Sequence, residues 1–264
     1  MAGPNSILLA AIMTIFTNME VDVAKVKSRI NGVILGYLGC MPADEIIEDA
    51  LLAAEGDVKR KLRVFLEPTW LIPPSDLDSV PALDEAGTAY ELEPGYDYDP
   101  SFFEGEKWGL LVTRQNRIIQ VTELKFVYPL PLTTVWSIPM EWLRIDNKYG
   151  RINLVPSTAA FSAPLSVYIM NVLGGGRTIP QMLHCKYQAG LKDVRKDWPD
   201  IISTLYRMAI LRILNDNFVP QSASISADGL SQSRSLDLKS YADSIDTTLE
   251  RIRQELHGVV MGFV

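Results

Sequence analysis

Transition-metal ligands are nearly missing from this sequence. It holds two cysteines, Cys40 and Cys185, and two histidines, His184 and His257. The cysteines are far apart and form no Cys-x-x-Cys pair, so a disulfide framework does not fit; two reduced thiols of a cytosolic product are expected. His184 and Cys185 are adjacent, but neighbours on a strand point to opposite faces. Neither a metal nor a cofactor is expected.

A surplus of basic charge is lacking as well. Lysine and arginine number 25 against 32 acidic residues, a net charge of −7. Proteins that grip nucleic acid by neutralising phosphates carry a basic face or stripe, and none is visible here. An acidic total remains compatible with DNA passing through a channel that does not hold it. A membrane span needs about 20 apolar residues. The run Ile7 to Phe16 is shorter, and no Lys or Arg precedes it, the first being Lys25. It therefore lacks the basic start of a signal peptide and reads as a docking helix or strand covered by another part of an assembly.

What is present is an ordinary globular balance, 47% hydrophobic and 22% charged, which excludes global disorder. Gly32, Gly36 and Gly39 interrupt the second half of the first 40 residues. From Asp44, Ile46, Ile47, Ala50, Leu51 and Ala54 recur at helical spacing. Acidic residues at its start and Lys59, Arg60 and Lys61 at its end both suit the helix dipole. After Leu62 the period changes to an extended run ending at Pro68. Residues 75–106 contain ten acidic and no basic residues, and predict a long, irregular, solvated excursion. Strands are expected at 108–113 and 118–128 around the polar turn 114–117, then at 150–155, 166–172 and 182–189, with Gly174-Gly175-Gly176 as a hairpin tip. Asp197 is placed to cap a helix opening at Trp198 or Pro199. A polar strand or loop, 222–237, precedes a final helix with the narrow seam Leu238, Tyr241, Ile245, Leu249, Ile252 and Leu256.

The fold class expected is α+β: a mainly antiparallel β-sheet core flanked by N-terminal and C-terminal helices, with long extended loops. In chain order this gives an N-terminal helical region (1–61), an antiparallel β region (62–190) with the acidic excursion 75–106, and a C-terminal helical region (191–264) containing the extended segment 222–237.

Catalytic constellations are weak. Asp97 and Asp99 alternate in Tyr96-Asp97-Tyr98-Asp99-Pro100, on one side of an extended chain, as a hydrolase's carboxylate pair or a cation site would require. A working pair needs pKa values pushed apart by burial, whereas a proline-rich acidic loop is normally solvated. Gly174-Gly-Gly-Arg177 lacks the trailing Lys-Ser or Lys-Thr of a phosphate loop. Gly229-Leu-Ser-Gln-Ser233 does not complete a nucleophile elbow. The five tryptophans read as core or interface anchors. No catalytic residue is assigned.

Three stretches carry a resemblance. Ile138-Pro-Met-Glu-Trp-Leu-Arg-Ile-Asp-Asn-Lys-Tyr-Gly-Arg-Ile-Asn-Leu-Val-Pro156 resembles a segment of tailed-bacteriophage virion proteins: a Pro-x-x-Trp turn, a strand, a Lys-x-Gly hairpin and a strand ending in Val-Pro. Tyr187-Gln-Ala-Gly190 is similar to their downstream strand end, which a helix follows. Ser224-Ile-Ser-Ala-Asp-Gly-Leu-Ser-Gln-Ser-Arg-Ser235 resembles the serine-rich segment before their final helix. The family is that of the neck proteins, adaptors or head-to-tail connectors. The resemblance implies a non-enzymatic structural protein of the virion neck, made in the host bacterial cytoplasm. Its partners would be copies of itself in a ring of about twelve, the portal protein, a tail-side neck or terminator protein, and genomic DNA passing through without sequence-specific binding; no membrane is implied. Candidate subunit-interface residues are Ile225, Leu230, Gln232, Leu238, Tyr241, Ile245 and Ile252. Segment 222–237 could add strands to a neighbour's sheet. The alternatives are a baseplate or other tail component, or a hydrolase using Asp97 and Asp99.

Overall fold

The computed structural model describes residues 19–33, 41–99, 101, 110–129, 131–155, 178–215, 222–227, 230–235 and 238–258. The expected apolar segment 7–16, the strand 166–172 and the tip at Gly174–Gly176 lie outside these residues. The fold is α+β, and its sheets are dominated by antiparallel pairs. Two compact units divide it at 63/64 and 192/193. The two terminal helical regions, separate in the sequence reading, belong to one unit.

The first unit holds two sheets. The larger has the order β2 (Tyr90–Leu92), β1 (Thr69–Ile72), β9 (Ile179–Ala189), β5 (Ile118–Pro129) and β6 (Leu132–Ser137). Strand β3 (Tyr96–Tyr98) pairs with β9 opposite Leu183 and Ile179, while β1 pairs with its other end opposite Tyr187 to Ala189. Strand β9 is thus paired along both edges. The smaller sheet is β4 (Leu110–Val112), β8 (Arg151–Leu154) and β7 (Leu143–Asp146), all antiparallel. An apolar core includes Leu71, Leu124, Phe126, Trp142, Ile152, Leu183, Cys185 and Tyr187. Aromatic rings bind it together: Phe126 stacks on Trp136 at 5.9 Å, and Trp136 meets Trp142 edge-on at 5.7 Å, geometries worth roughly 0.5–1.5 kcal/mol per pair beyond area burial.

Several expectations are corrected here. The turn 114–117 does not close a hairpin; β4 leaves into the smaller sheet and β5 into the larger. The run after Leu62 is a turn rather than a strand: Arg63 adopts a left-handed conformation (φ 52°) and its N–H donates to the Lys59 carbonyl, ending the preceding helix. Residues 75–99 are more regular than expected, although the stretch remains largely solvated as far as Leu92, with no buried residue in either of its helical turns. They form a 3-10 helix (Pro74–Ser79), the helix α3 (Val80–Glu85), and strands β2 and β3. Composition misled because in Tyr96-Asp97-Tyr98 only the acid faces water: both tyrosines are buried.

Two glycines explain the motifs that carried the resemblance. Gly190 ends β9 at φ 122°, and a Cβ there would lie 2.4 Å from the Glu67 carbonyl oxygen. Its N–H donates to the Arg117 carbonyl and that of Leu191 to the Phe65 carbonyl, tying the strand end to two other segments. Gly150, at φ 66°, closes the β7–β8 turn, where a Cβ would lie 2.4 Å from Thr113 Oγ1. Both positions demand glycine for backbone reasons.

The second unit is helical: α1 (Met19–Val33), α2 (Asp44–Leu62), α4 (Val194–Asp197), α5 (Pro199–Asn215) and α6 (Leu238–His257), with a two-stranded hairpin of β10 (Ser222–Ala227) and β11 (Leu230–Ser235). Pro199 opens α5, and the short α4 before it is capped by Asp193, whose carboxylate accepts from the Lys196 N–H at 3.0 Å. Helix α6 buries Ile245, Leu249, Ile252 and Leu256 against α5 and α2. Polar ties fix the same seams: Lys61 to Asp246 (2.5 Å), Arg251 to Asp200 (3.0 Å), and Arg207 donating to Ser244 Oγ (2.8 Å).

Gly190→Ala is expected to lower unfolding stability by about 3 kcal/mol, combining backbone strain with overpacking. Gly56→Ala, within α2 where a Cβ meets only Arg60 at 3.7 Å, should instead gain about 0.5–1 kcal/mol. Urea titrations of the two variants check the opposite signs.

Candidate functional site

Strand β9 carries the densest chemistry, with a different cluster on each face because successive side chains alternate. On the core face, Tyr187 meets Tyr96 of β3 and Glu93 from the loop after β2. Tyr96 Oη donates to Glu93 Oε2 at 2.8 Å and Tyr187 Oη donates to Glu93 Oε1 at 3.1 Å, while the two hydroxyls stand 3.2 Å apart. The Arg114 backbone N–H donates to Tyr96 Oη (3.0 Å), and its guanidinium lies 4.2 Å above the Tyr96 ring. That guanidinium also donates to the Pro94 and Gly95 carbonyls at 2.7 and 3.0 Å, and stands 3.8 Å from Glu93 Oε1.

Glu93 is only 6% exposed. Burial raises its pKa, and the hydrogen bonds from both tyrosines and the charge of Arg114 offset this only in part. Burial also pushes both tyrosine hydroxyls and the Cys185 thiol upward. A protonated Glu93 would complete a ring of three O–H donors over the three contacts; an ionised one leaves the two hydroxyls facing each other without a shared proton.

On the opposite face, the 3-10 helix Pro74–Ser79 docks through charge. Lys125 Nζ donates to Asp76 Oδ1 at 3.0 Å and to Glu123 Oε2 at 3.1 Å, and Lys186 Nζ pairs with Asp76 Oδ2 at 2.9 Å. Burial alone would raise the Asp76 carboxyl, but hydrogen bonds from Lys186 and Lys125 outweigh it and hold the pKa below the ordinary value. Burial likewise works against the Lys125 charge, yet bonds to Asp76 and Glu123 raise its pKa. Beside them His184, buried and opposite Lys125 in the register, has Nδ1 2.8 Å from Ser75 Oγ. Burial and the Lys125 charge lower its pKa. The ring packs so closely on Gly95 that a Cβ there would lie 2.7 Å from Cδ2.

The helical unit repeats the pattern. Asp22, 1% exposed, accepts from Arg195 (3.2 and 2.6 Å) and Tyr206 Oη (2.5 Å). Asp57 holds both Arg60 and Arg212. In all of these clusters the polar groups brace one backbone segment against another.

The residues singled out from sequence are not brought together. Asp97 accepts from the Gln181 N–H at 2.9 Å and Asp99 from the Ser101 N–H at 2.9 Å, so each carboxylate fixes local backbone. Ile245 and Ile252 are 2% and 1% exposed, packed in the seam that α6 forms with α2 and α5. Tyr241 and Leu238 are partly buried, Tyr241 with the Arg207 guanidinium 5.1 Å from its ring. Ile225 and Gln232 are register partners in the hairpin, and Leu230 pairs with Ala227. Sequence reading missed Glu93, Asp22 and the Asp76 cluster. The alternation of Tyr96 and Tyr98 was the available signal for the first; the others depend on residues brought together from distant parts of the chain.

Among the described residues no group of three or more His, Cys, Asp or Glu side chains could hold a metal ion, and no helix is long and apolar enough to cross a membrane.

Relative to wild type, Glu93→Gln is expected to grow more stable as pH rises. The raised pKa makes ionisation costlier in the folded state, so wild-type stability is lost from the ordinary value of 4.5 upward through the raised one, by at most about 1.4 kcal/mol per pH unit. Urea midpoints of both proteins across pH 4–8 measure the difference. Asp76→Asn should cost about 2 kcal/mol in the same assay at neutral pH, less than the ~3–5 of a fully buried pair, since Glu123 still holds Lys125. Compared with known proteins, the chain matches no family model, and no curated protein resembles it significantly.

Proposed function

We propose that this chain is a structural subunit of a tailed-bacteriophage virion, forming a ring in the neck that joins the portal side to the tail and surrounds the DNA channel. The observation that carries this reading is the local structure of the three segments behind the resemblance. Pro139–Trp142 is a tight turn leading into β7, a turn closed by Gly150, and β8. Gly190 ends β9 just before helices α4 and α5, and the serine-rich segment is a hairpin immediately before α6. Segment order and local form both agree with what the resemblance implies.

Charge supports the same reading. A net charge of −7 disfavours a tight grip on a polyanion, which suits a channel that must let DNA slide. The charged clusters described above lock segments of each unit in place, as a part under mechanical load requires.

The test is the protein composition of purified particles. Quantitative mass spectrometry should find the chain at about twelve copies per virion, and gold-labelled antibody should mark the junction of head and tail. Absence from purified particles, or labelling confined to the distal tail, contradicts the proposal.

A further inference from the structure

Two strand edges in this chain are suited to pairing and, among the described residues, have no strand beside them. Strand β10 pairs only with β11, through six consecutive positions without a shift, from Ser222↔Ser235 to Ala227↔Leu230. A lone two-stranded hairpin is marginally stable in water. Edges left in solvent are ordinarily blunted by charge, proline or a bulge. Ser222-Ala-Ser-Ile-Ser-Ala227 carries none of these.

The second edge is β6, at the end of the larger sheet. Leu132-Thr-Thr-Val-Trp-Ser137 is also six residues long and free of charge and proline; its ladder with β5 shifts register at Val135, so the regular stretch it offers is Leu132–Thr134. Val135 and Trp136 pack against the core, while Leu132 is 50% exposed and Thr133 and Thr134 face solvent. The other sheet ends fit less well: β2 carries Glu91, β7 carries Arg144 and Asp146, and β4 has three residues.

We infer that β10 of one copy pairs with the β6 edge of a second copy, so that the hairpin extends its neighbour's sheet by two strands. This deepens the ring reading and rests on it. The contact is head-to-tail: each copy offers a hairpin to one neighbour and a β6 edge to the other, which is the interface type that closes into a ring. Main-chain hydrogen bonds supply the affinity, as in other strand additions. The occupant is a second copy because the matching edge, equal in length and equally uncharged, is present in this chain.

Full-length chains carrying Thr133→Cys or Thr134→Cys are mixed with chains carrying Ala223→Cys or Ser224→Cys, all with Cys40→Ser, and then oxidised. The two positions on each strand sample both faces of the pairing. The expected product is a disulfide-linked pair containing one chain of each kind, in at least one of the four combinations. In a parallel set of chains carrying one cysteine on each strand, a bond that forms within the chain, with none between chains in the mixtures, would place β10 on its own β6 and overturn the inference. A stable oligomer with no cross-link in any combination would also overturn it while leaving the ring reading standing. Chains that remain monomeric at every concentration contradict both.

Discussion

A carboxylate taken out of water beside the central strand is the constraint on which the larger unit depends. Burying Glu93 is unfavourable unless its oxygens find donors. Those donors are the hydroxyls of Tyr96 and Tyr187, with the Arg114 guanidinium close by. Each partner belongs to a different segment, so satisfying one side chain fixes β3, β9 and the end of β4 at once. On the other face of β9, Asp76 plays the complementary part, held by Lys125 and Lys186 from two adjacent strands. The strand is clamped from both sides by groups whose removal would leave a partner uncompensated.

Bracing of this kind explains why the titratable groups read as architecture. Burial raises the Glu93 pKa and lowers that of His184, yet both sit in closed sets of partners belonging to the same unit. The helical unit applies the same device with Asp22 and Asp57, the acids meeting arginines from a different helix. The uncharged edge of β10 is the surface proposed for joining copies.

Local signals in the sequence were reliable where one element decides its own form. Helix α2 was legible from its apolar stripe and from the acid-to-base order of its ends, and α5 from Pro199 at its first turn. Strand β5 was visible in its interleaved polar residues. The misreadings came from tertiary pairing. Ten acids without a base between 75 and 106 look like an irregular excursion, but the backbone there forms helical turns and joins the sheet through β2 and β3, and Glu93 turns inward. The 114–117 turn looked like a hairpin because nothing local distinguishes a turn that joins strands from one that changes sheets. The α6 seam looked narrow enough for one neighbouring element, whereas both α5 and α2, the latter nearly 200 residues upstream, pack against it. Gly150 and Gly190 stood out as motif letters, and only the backbone geometry gives them a physical reason.

Self-association through defined surfaces is the central claim, and the stoichiometry of the isolated protein tests it most directly. Native mass spectrometry of the purified full-length chain over a wide concentration range should show one closed oligomer of fixed copy number in equilibrium with monomer. A monomer at all concentrations, or an open ladder of masses with no preferred size, would contradict it.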